Sequence, residues 1–308
     1  MDIVVIALGG NAIMKRGELP IFSIQYENVK NAAKSIGNLI SKNDIRLVIT
    51  HGNGPQVGNE LLRNEYASNN VPQLPLYILT AETQAFIGSM LESAMINELQ
   101  RRKIKRRVSA VLTHVVVDSA DAAFRKPSKP IGPFYSKDQL EKKLGEGKFD
   151  YVEQKGAYRR VVASPTPIEV IELDSIKGLL DGGDIVIAGG GGGIPVSKSG
   201  RLIEGMDAVI DKDLTTQVLA NELKADRMVI LTDAEYVYRD QEQEDSMIKE
   251  IGTDELTGLI GSFQSGTIRP KVEACIRFVK NGGKEAYIGN LFKLTDILKG
   301  ESGTRIIQ

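Results

Sequence analysis

Three lysines stand beside glycine or proline turns: Lys129 in Lys129-Pro130-Ile131-Gly132-Pro133-Phe134-Tyr135, Lys212 in Ile210-Asp211-Lys212-Asp213, and Lys271 after Arg269-Pro270. Three glycine clusters accompany them: Gly9-Gly10-Asn11, His51-Gly52-Asn53-Gly54, and the run from Gly189 to Gly193. Lysine beside backbone that can approach closely is what phosphoryl transfer asks of a protein. Its loose transition state spreads negative charge over equatorial oxygens and needs placed cations and N–H donors more than a nucleophile. Lys212 is the clearest of the three, because flanking aspartates at a helix start orient it and suit a metal. Two other phosphate chemistries are not written here. No Gly-x4-Gly-Lys-Ser/Thr occurs, and Gly52 to Gly58 spaces its glycines as G-x-G-x-x-x-G, one residue too long for the dinucleotide fingerprint.

The elements that must carry these residues are legible from periodicity. Ile3 to Leu8, Leu47 to Thr50 and Ile185 to Ala188 are short apolar runs that end in the glycine clusters, as buried strands of a parallel sheet do. Val29, Ala32, Ala33, Ile36, Leu39 and Ile40 repeat at helical spacing between the first two runs, which makes a βαβ unit. A helix around Leu214, Val218 and Leu219 precedes the strand Met228 to Leu231. Val272, Cys275, Ile276 and Val279 mark a further helix, before strands at Ala286 to Ile288 and Gly303 to Ile307. The fold class is therefore α/β, an open and mostly parallel sheet sandwiched by helices. Residues from about 118 to 167 hold five of the eleven prolines and no strand–helix rhythm, which predicts a protruding subdomain. A break near Gly205 divides the chain into lobes 1–205 and 206–308. Ligands of such sheets sit beyond the carboxyl ends of the strands, where the glycine clusters face them.

Composition narrows the classes. The 308 residues carry 39 basic and 40 acidic side chains, a net charge of −1, so no global field draws nucleic acid or membrane. One cysteine excludes an intramolecular disulfide and a multi-cysteine zinc site, and two histidines leave little for a histidine-rich metal centre. No apolar run approaches the ~18 residues of a membrane helix, and no signal peptide precedes the first strand, so a soluble cytoplasmic protein is expected. The basic run from Arg101 to Arg107 reads as the solvated end of a helix. That helix, with Phe86, Ile87, Met90 and Leu91, is a candidate dimer surface or a buried core face. His51 reads as a structural hydrogen bond at a strand end, and His114 and Cys275 as core residues.

Taken together, Ala7-Leu8-Gly9-Gly10-Asn11-Ala12, Thr50 through Gly58, Lys129 through Tyr135, Arg159-Arg160-Val161-Val162 and Val209 through Asp213 resemble the carbamate kinases of the amino acid kinase family. The resemblance runs from Ile3 to Ile306. It implies reversible phosphoryl transfer between carbamoyl phosphate with ADP and carbamate with ATP, run mainly toward ATP, with Mg2+ and on a homodimer. It implies that Gly9, Gly10, Asn11, Gly52 and Asn53 bind the transferring group and the small acceptor. Lys129, Lys212 and Lys271 would be catalytic with Asp213 holding the lysines, and Lys212, Asp233, Tyr236 and Lys271 would bind nucleotide, with no residue assigned as a metal ligand. The chain departs from the family wording at Tyr158, at 154–157 and in the acidic loop 240–245. The alternatives are an amino acid kinase with an acetylglutamate or isoprenoid phosphate acceptor, a nicotinamide-dependent oxidoreductase, and a nucleotide sensor without turnover.

Overall fold

The computed structural model describes residues 1–308 except 16, 145–149, 155, 241–242 and 264–267, and the side chains of 11, 142–144, 154 and 244. Among the described residues the main sheet contains β1 (Asp2–Leu8), β2 (Ile45–His51), β3 (Val108–Ala110), β9 (Ile185–Ile187), β12 (Arg227–Thr232), β15 (Glu250–Gly252), β16 (Glu285–Asn290) and β17 (Thr304–Ile307). Its order is β15-β17-β16-β12-β1-β2-β9-β3. Every neighbouring pair is parallel except β16 with β17. Strands from both halves of the chain thus enter one sheet. From β1 the chain steps to β2 on one side, and only its later half adds β12 on the other, and such a switch point opens a crevice at the carboxyl ends of the strands.

Why the strands read as unbroken apolar runs is visible in β1. Ile3, Val5 and Ala7 enter the core on one face, and Val4, Ile6 and Leu8 enter the core on the other. A strand covered on both faces has no polar alternation to show. The second face is covered by α1 (Phe22–Ile40), α3 (Leu76–Arg101) and α9 (Leu294–Leu298). All six of the periodic α1 residues, Val29, Ala32, Ala33, Ile36, Leu39 and Ile40, are buried there. The first face is covered by α5 (Leu173–Asp181), α6 (Lys212–Glu222), α7 (Thr253–Leu259) and α8 (Arg269–Lys280). Cys275 and the helix positions Val272, Ile276 and Val279 lie in that core, as expected.

Smaller sheets surround the main one. One contains β4 (His114–Val117), β8 (Pro167–Val170), β10 (Ile194–Ser199) and β11 (Leu202–Gly205), and a two-stranded ribbon joins β13 (Val237–Tyr238) to β14 (Met247–Ile248). The proline-rich region does have regular structure: β5 (Lys129–Tyr135), β6 (Asp150–Gln154) and β7 (Ala157–Val162) form an antiparallel sheet of their own, with α4 (Lys137–Leu144) beside it. Its strands were not legible because few of their residues are buried: two in β5, three in β7 and none among the described residues of β6. Lys155 and the side chain of Gln154 lie outside the described residues.

This small sheet is fastened to the body by α2 (Gly54–Ala67). Val57, Leu61, Leu76 and Leu79 of the body pack with Ile131 and Val162 of the small sheet and with Val209. Each fully buried aliphatic side chain of this kind contributes about 1.5–3 kcal/mol. Arg160 of β7, nearly buried, pairs with Glu65 of α2. The closest approach is backbone to backbone: a Cβ on Gly58 would stand 2.1 Å from Gly132 Cα, and Gly132 has φ of +71°. Replacing Gly58 by alanine is therefore expected to push β5 off α2. Thermal unfolding should show a loss of about 1–3 kcal/mol, the usual cost of overpacking, and a Gly58→Ala protein as stable as the wild type would contradict this packing.

Candidate active site

The first turn of α6 builds the centre. Asp211 is its N-cap, its carboxylate accepting from the backbone N–H of Asp213 at 2.9 Å and of Leu214 at 3.4 Å, as capping aspartates do. The cap fixes where Lys212 and Asp213 leave the helix. Lys212 Nζ donates to Asp213 Oδ1 at 2.5 Å, and Lys271 Nζ, from the first turn of α8, donates to Oδ2 at 2.9 Å. Pro270 starts α8 where a missing N–H costs nothing. Two ammonium groups thus share one carboxylate that is 3% exposed, and the cluster carries a net positive charge. Burial opposes ionisation of Asp213, yet Lys212 and Lys271 outweigh it and hold the carboxyl well below the usual carboxylate range. For Lys271 burial works against the charge, but Asp213 prevails and its pKa is raised. For Lys212 burial wins, Asp213 offsets only part of it, and the pKa is lowered.

The surrounding elements close on this cluster. A Cβ on Gly52 would meet Lys212 Cδ at 3.2 Å, so the glycine lets the lysine stem cross the end of β2. Thr216 donates to Lys212 O at 2.6 Å and bonds Thr50 of β2 at 2.7 Å, which ties the start of α6 to the same strand. Lys129 reaches across from the small sheet, its Nζ donating to Ile210 O at 2.9 Å and lying 3.4 Å from Asp211 Oδ2. All three lysines expected from the sequence therefore meet at residues 210–213. Asn53 lies behind Gly52 and donates Nδ2–H to Thr83 Oγ1 of α3 at 2.9 Å.

A cleft of about 940 Å³ opens beside the cluster, lined in part by Gly9, Gly10, Asp233, Asn290 and Lys271. Gly9 sits so close to β12 that a Cβ would stand 2.5 Å from Leu231 O. Tyr236, Lys129, Lys212, Gly52 and Asn53 do not line this cleft; Lys271 joins it to Lys212 through Asp213. The side chain of Asn11 lies outside the described residues, as do residues 241–242 of the acidic loop. Arg159 lines the cleft as well; in the sequence it stood out only within the motif Arg159-Arg160-Val161-Val162 and was given no role. Its Nε and Nη2 donate to Gly132 O at 3.2 and 2.9 Å, and its guanidinium lies 5.1 Å from the Phe134 ring centroid. Its place in the paired arginines before Val161 was the available signal.

Four expectations change. The run Gly189 to Gly193 does not line the cleft beside the cluster, and all five residues are buried. They form a floor on which His51, Asn53 and Ile210 rest, a Cβ on Gly190, Gly191 or Gly192 standing 2.3 Å from an atom of each in turn. Asp213 is not free for a metal, since both oxygens hold lysines, and among the described residues no group of three or more His, Cys, Asp or Glu gathers as a metal site. His114 is half-exposed rather than core, with Nδ1 2.7 Å from Glu172 Oε1. The arginines after α3 are not simply solvated: Arg106 donates to Ile45 O and Gly183 O, and Arg107 to Asp184. The reading of His51 stands, its Nδ1–H donating to Gly52 O at 3.0 Å while burial pushes the imidazole down to about 4.

Residues 2–290 match the model of the amino acid kinase family, and the chain belongs to that family. A carbamate kinase of Thermococcus kodakarensis is 42% identical over 314 aligned residues that cover the whole of both chains. One from Staphylococcus haemolyticus is 44% identical over 99% of each. The solved structure of the Giardia lamblia carbamate kinase bound to AMP-PNP superimposes with a TM-score of 0.91 at 38% identity, over 99% of this chain and 98% of that one. Within the family the chain thus belongs with the carbamate kinases, which sets aside the acetylglutamate, isoprenoid phosphate and nicotinamide alternatives.

Burial lowers the Lys212 pKa and Asp213 raises it in part, and that sets the sign of removing Asp213. Replacing Asp213 by asparagine takes away the interaction that raises the Lys212 pKa, so the lysine loses its proton at lower pH. The alkaline limb of the pH–rate profile should move toward acid and kcat should fall by about 10–100-fold, the scale of a lost charged hydrogen bond. An unmoved limb in Asp213→Asn would show that Asp213 does not set the charge of Lys212.

Proposed function

We propose that this chain is a carbamate kinase in which the Lys212–Asp213–Lys271 cluster supplies the cations for phosphoryl transfer between carbamoyl phosphate with ADP and carbamate with ATP. The cluster carries the reading, because it sets the Lys212 stem against the Gly52 turn after β2 and puts Lys271 in one cleft with Gly9 and Gly10 after β1. Carbamate and the terminal phosphate of ADP are already anionic oxygen nucleophiles, so no general base is needed. What the reaction requires is alignment and neutralisation of charge on the transferred group. Lys212 and Lys271 meet that charge, and Asp213 keeps both at fixed positions between turnovers. Lys129 contacts carbamoyl phosphate from the protruding sheet, and its reach to Ile210 and Asp211 supports that assignment. Gly9, Gly10, Asn11, Gly52 and Asn53 present donors to the transferring group and the acceptor. Asp233 and Tyr236, just past the end of β12, take the nucleotide with Lys212 and Lys271.

On this reading residues 1–205 bind carbamoyl phosphate and 206–308 bind nucleotide, with 118–167 as the protruding subdomain. Magnesium enters on the nucleotide phosphates, which suits an ion that keeps several waters and needs few protein ligands, and suits a centre whose Asp213 is occupied by lysines. The protein works in the cytoplasm as a homodimer. No described helix is long and apolar enough to cross a membrane. Phe86 and Ile96 are the exposed apolar residues of α3 that support an interface there, whereas Ile87, Met90 and Leu91 are buried in the core.

The test is ATP formation from carbamoyl phosphate, ADP and Mg2+ in a coupled assay, in parallel with Lys212→Ala. The wild type should turn over, and Lys212→Ala should lose roughly 100–1,000-fold in kcat, the cost of one transition-state charge contact, with little change in melting temperature. Folded wild-type protein without turnover, or near-normal rates in the variant, would reject the assignment.

A further inference from the structure

We propose that Thr83 of α3 is a positioning residue for this reaction, fixing the Asn53 amide and with it the Gly52–Gly54 turn that adjoins Lys212. The proposal rests on the reading of Asn53 as a residue of the substrate site. Thr83 is 1% exposed and Asn53 3%. The hydroxyl of Thr83 lies 3.0 Å from Leu79 O and 2.9 Å from Thr80 O. Its single hydrogen is therefore committed to its own helix, and toward Asn53 it has only lone pairs to offer. Asn53 can answer only with Nδ2–H, at 2.9 Å. One of the two orientations of the amide is thus selected, and Oδ1 is turned away from α3.

A flat face of the amide lies against backbone. Gly191 has φ of +67°, and a Cβ there would stand 2.3 Å from Asn53 Nδ2. The neighbour of Thr83 holds that floor in place: Gln84 donates Nε2–H to Gly190 O at 2.9 Å and accepts from Thr113 N at 2.6 Å. Two consecutive residues of α3 therefore grip the side chain and the surface under it. Asn53 is also the residue at which α2 begins, and Val57 N donates to its carbonyl at 2.9 Å. Its orientation is transmitted to the first turn of that helix, where unpaired N–H groups are available to an anion.

The hydroxyl can be removed with little change of shape. Thr83→Val keeps the volume and loses the acceptor, Thr83→Ser keeps the acceptor and loses the methyl, and both are compared with Asn53→Ala and the Thr83→Val/Asn53→Ala double variant. Thr83→Val should lower kcat about tenfold, the scale of one buried hydrogen bond in a placed group, with the KM for ADP unchanged, and Thr83→Ser should recover most of that loss. Because Thr83 acts through Asn53, the valine should cost little further once Asn53 is alanine. If Thr83→Val does not fold, Thr83→Ala takes its place in the same cycle. Full activity of Thr83→Val beside an impaired Asn53→Ala, losses that multiply in the double variant, or a serine variant as poor as the valine would each overturn the positioning role. Full activity of Asn53→Ala would instead reject Asn53 as a residue of the substrate site, and the role of Thr83 with it.

Discussion

One buried carboxylate shared by two ammonium groups is the constraint around which the molecule is arranged. A lone Asp213 at that depth would not ionise readily, and two unpaired lysines would repel each other and lose protons. Held as 2.5 and 2.9 Å contacts, the three groups stabilise one another and leave a surplus of one positive charge. That surplus is only available if two helices begin at the right places. Asp211 caps one of them, Pro270 opens the other, and the missing side chain at Gly52 gives the Lys212 stem its path.

A protein with a net charge of −1 thus binds anions by local construction. Asp211, Lys212 and Asp213 are consecutive, so the opposing charges are placed by helix geometry, while Lys129 and Lys271 arrive from 82 residues before Asp211 and 58 after Asp213. Water is largely excluded there, and electrostatic interactions are stronger than on the surface. Steering by a global field would fade with salt, whereas contacts of this depth are screened far less.

How much of this the sequence disclosed depended on whether the signal was local. The strands β1 and β2 showed themselves because both their faces are buried, and α1 showed itself through six apolar positions at helical spacing. Lys212 was legible because its helix start and its acidic neighbours stand beside it in the chain. The strands of the protruding sheet were not, since that sheet has a small core and its prolines mask the pattern. Thr83, Gln84 and Arg159 take their roles from partners 30, 106 and 27 residues away. No spacing rule announces such a partner, although buried polar groups on the apolar α3, Thr80 among them, are the trace they leave. The glycine run from 189 to 193 misled for the same reason. Its composition spoke of close approach, which is correct, but the atoms that approach belong to the protein.

That floor also limits how the protein can change over generations. At Gly190, Gly191, Gly192 and Gly193 the first carbon of any side chain would overlap His51, Asn53, Ile210 or Val115 respectively. Those neighbours come from three segments, the end of β2 with its turn, residue 210 and β4, so no one compensating exchange relieves all four. The bed beneath the β2 turn is consequently closed to stepwise mutation. Exchange meets less resistance where side chains face solvent, as at Phe134 and Val152 of the protruding sheet.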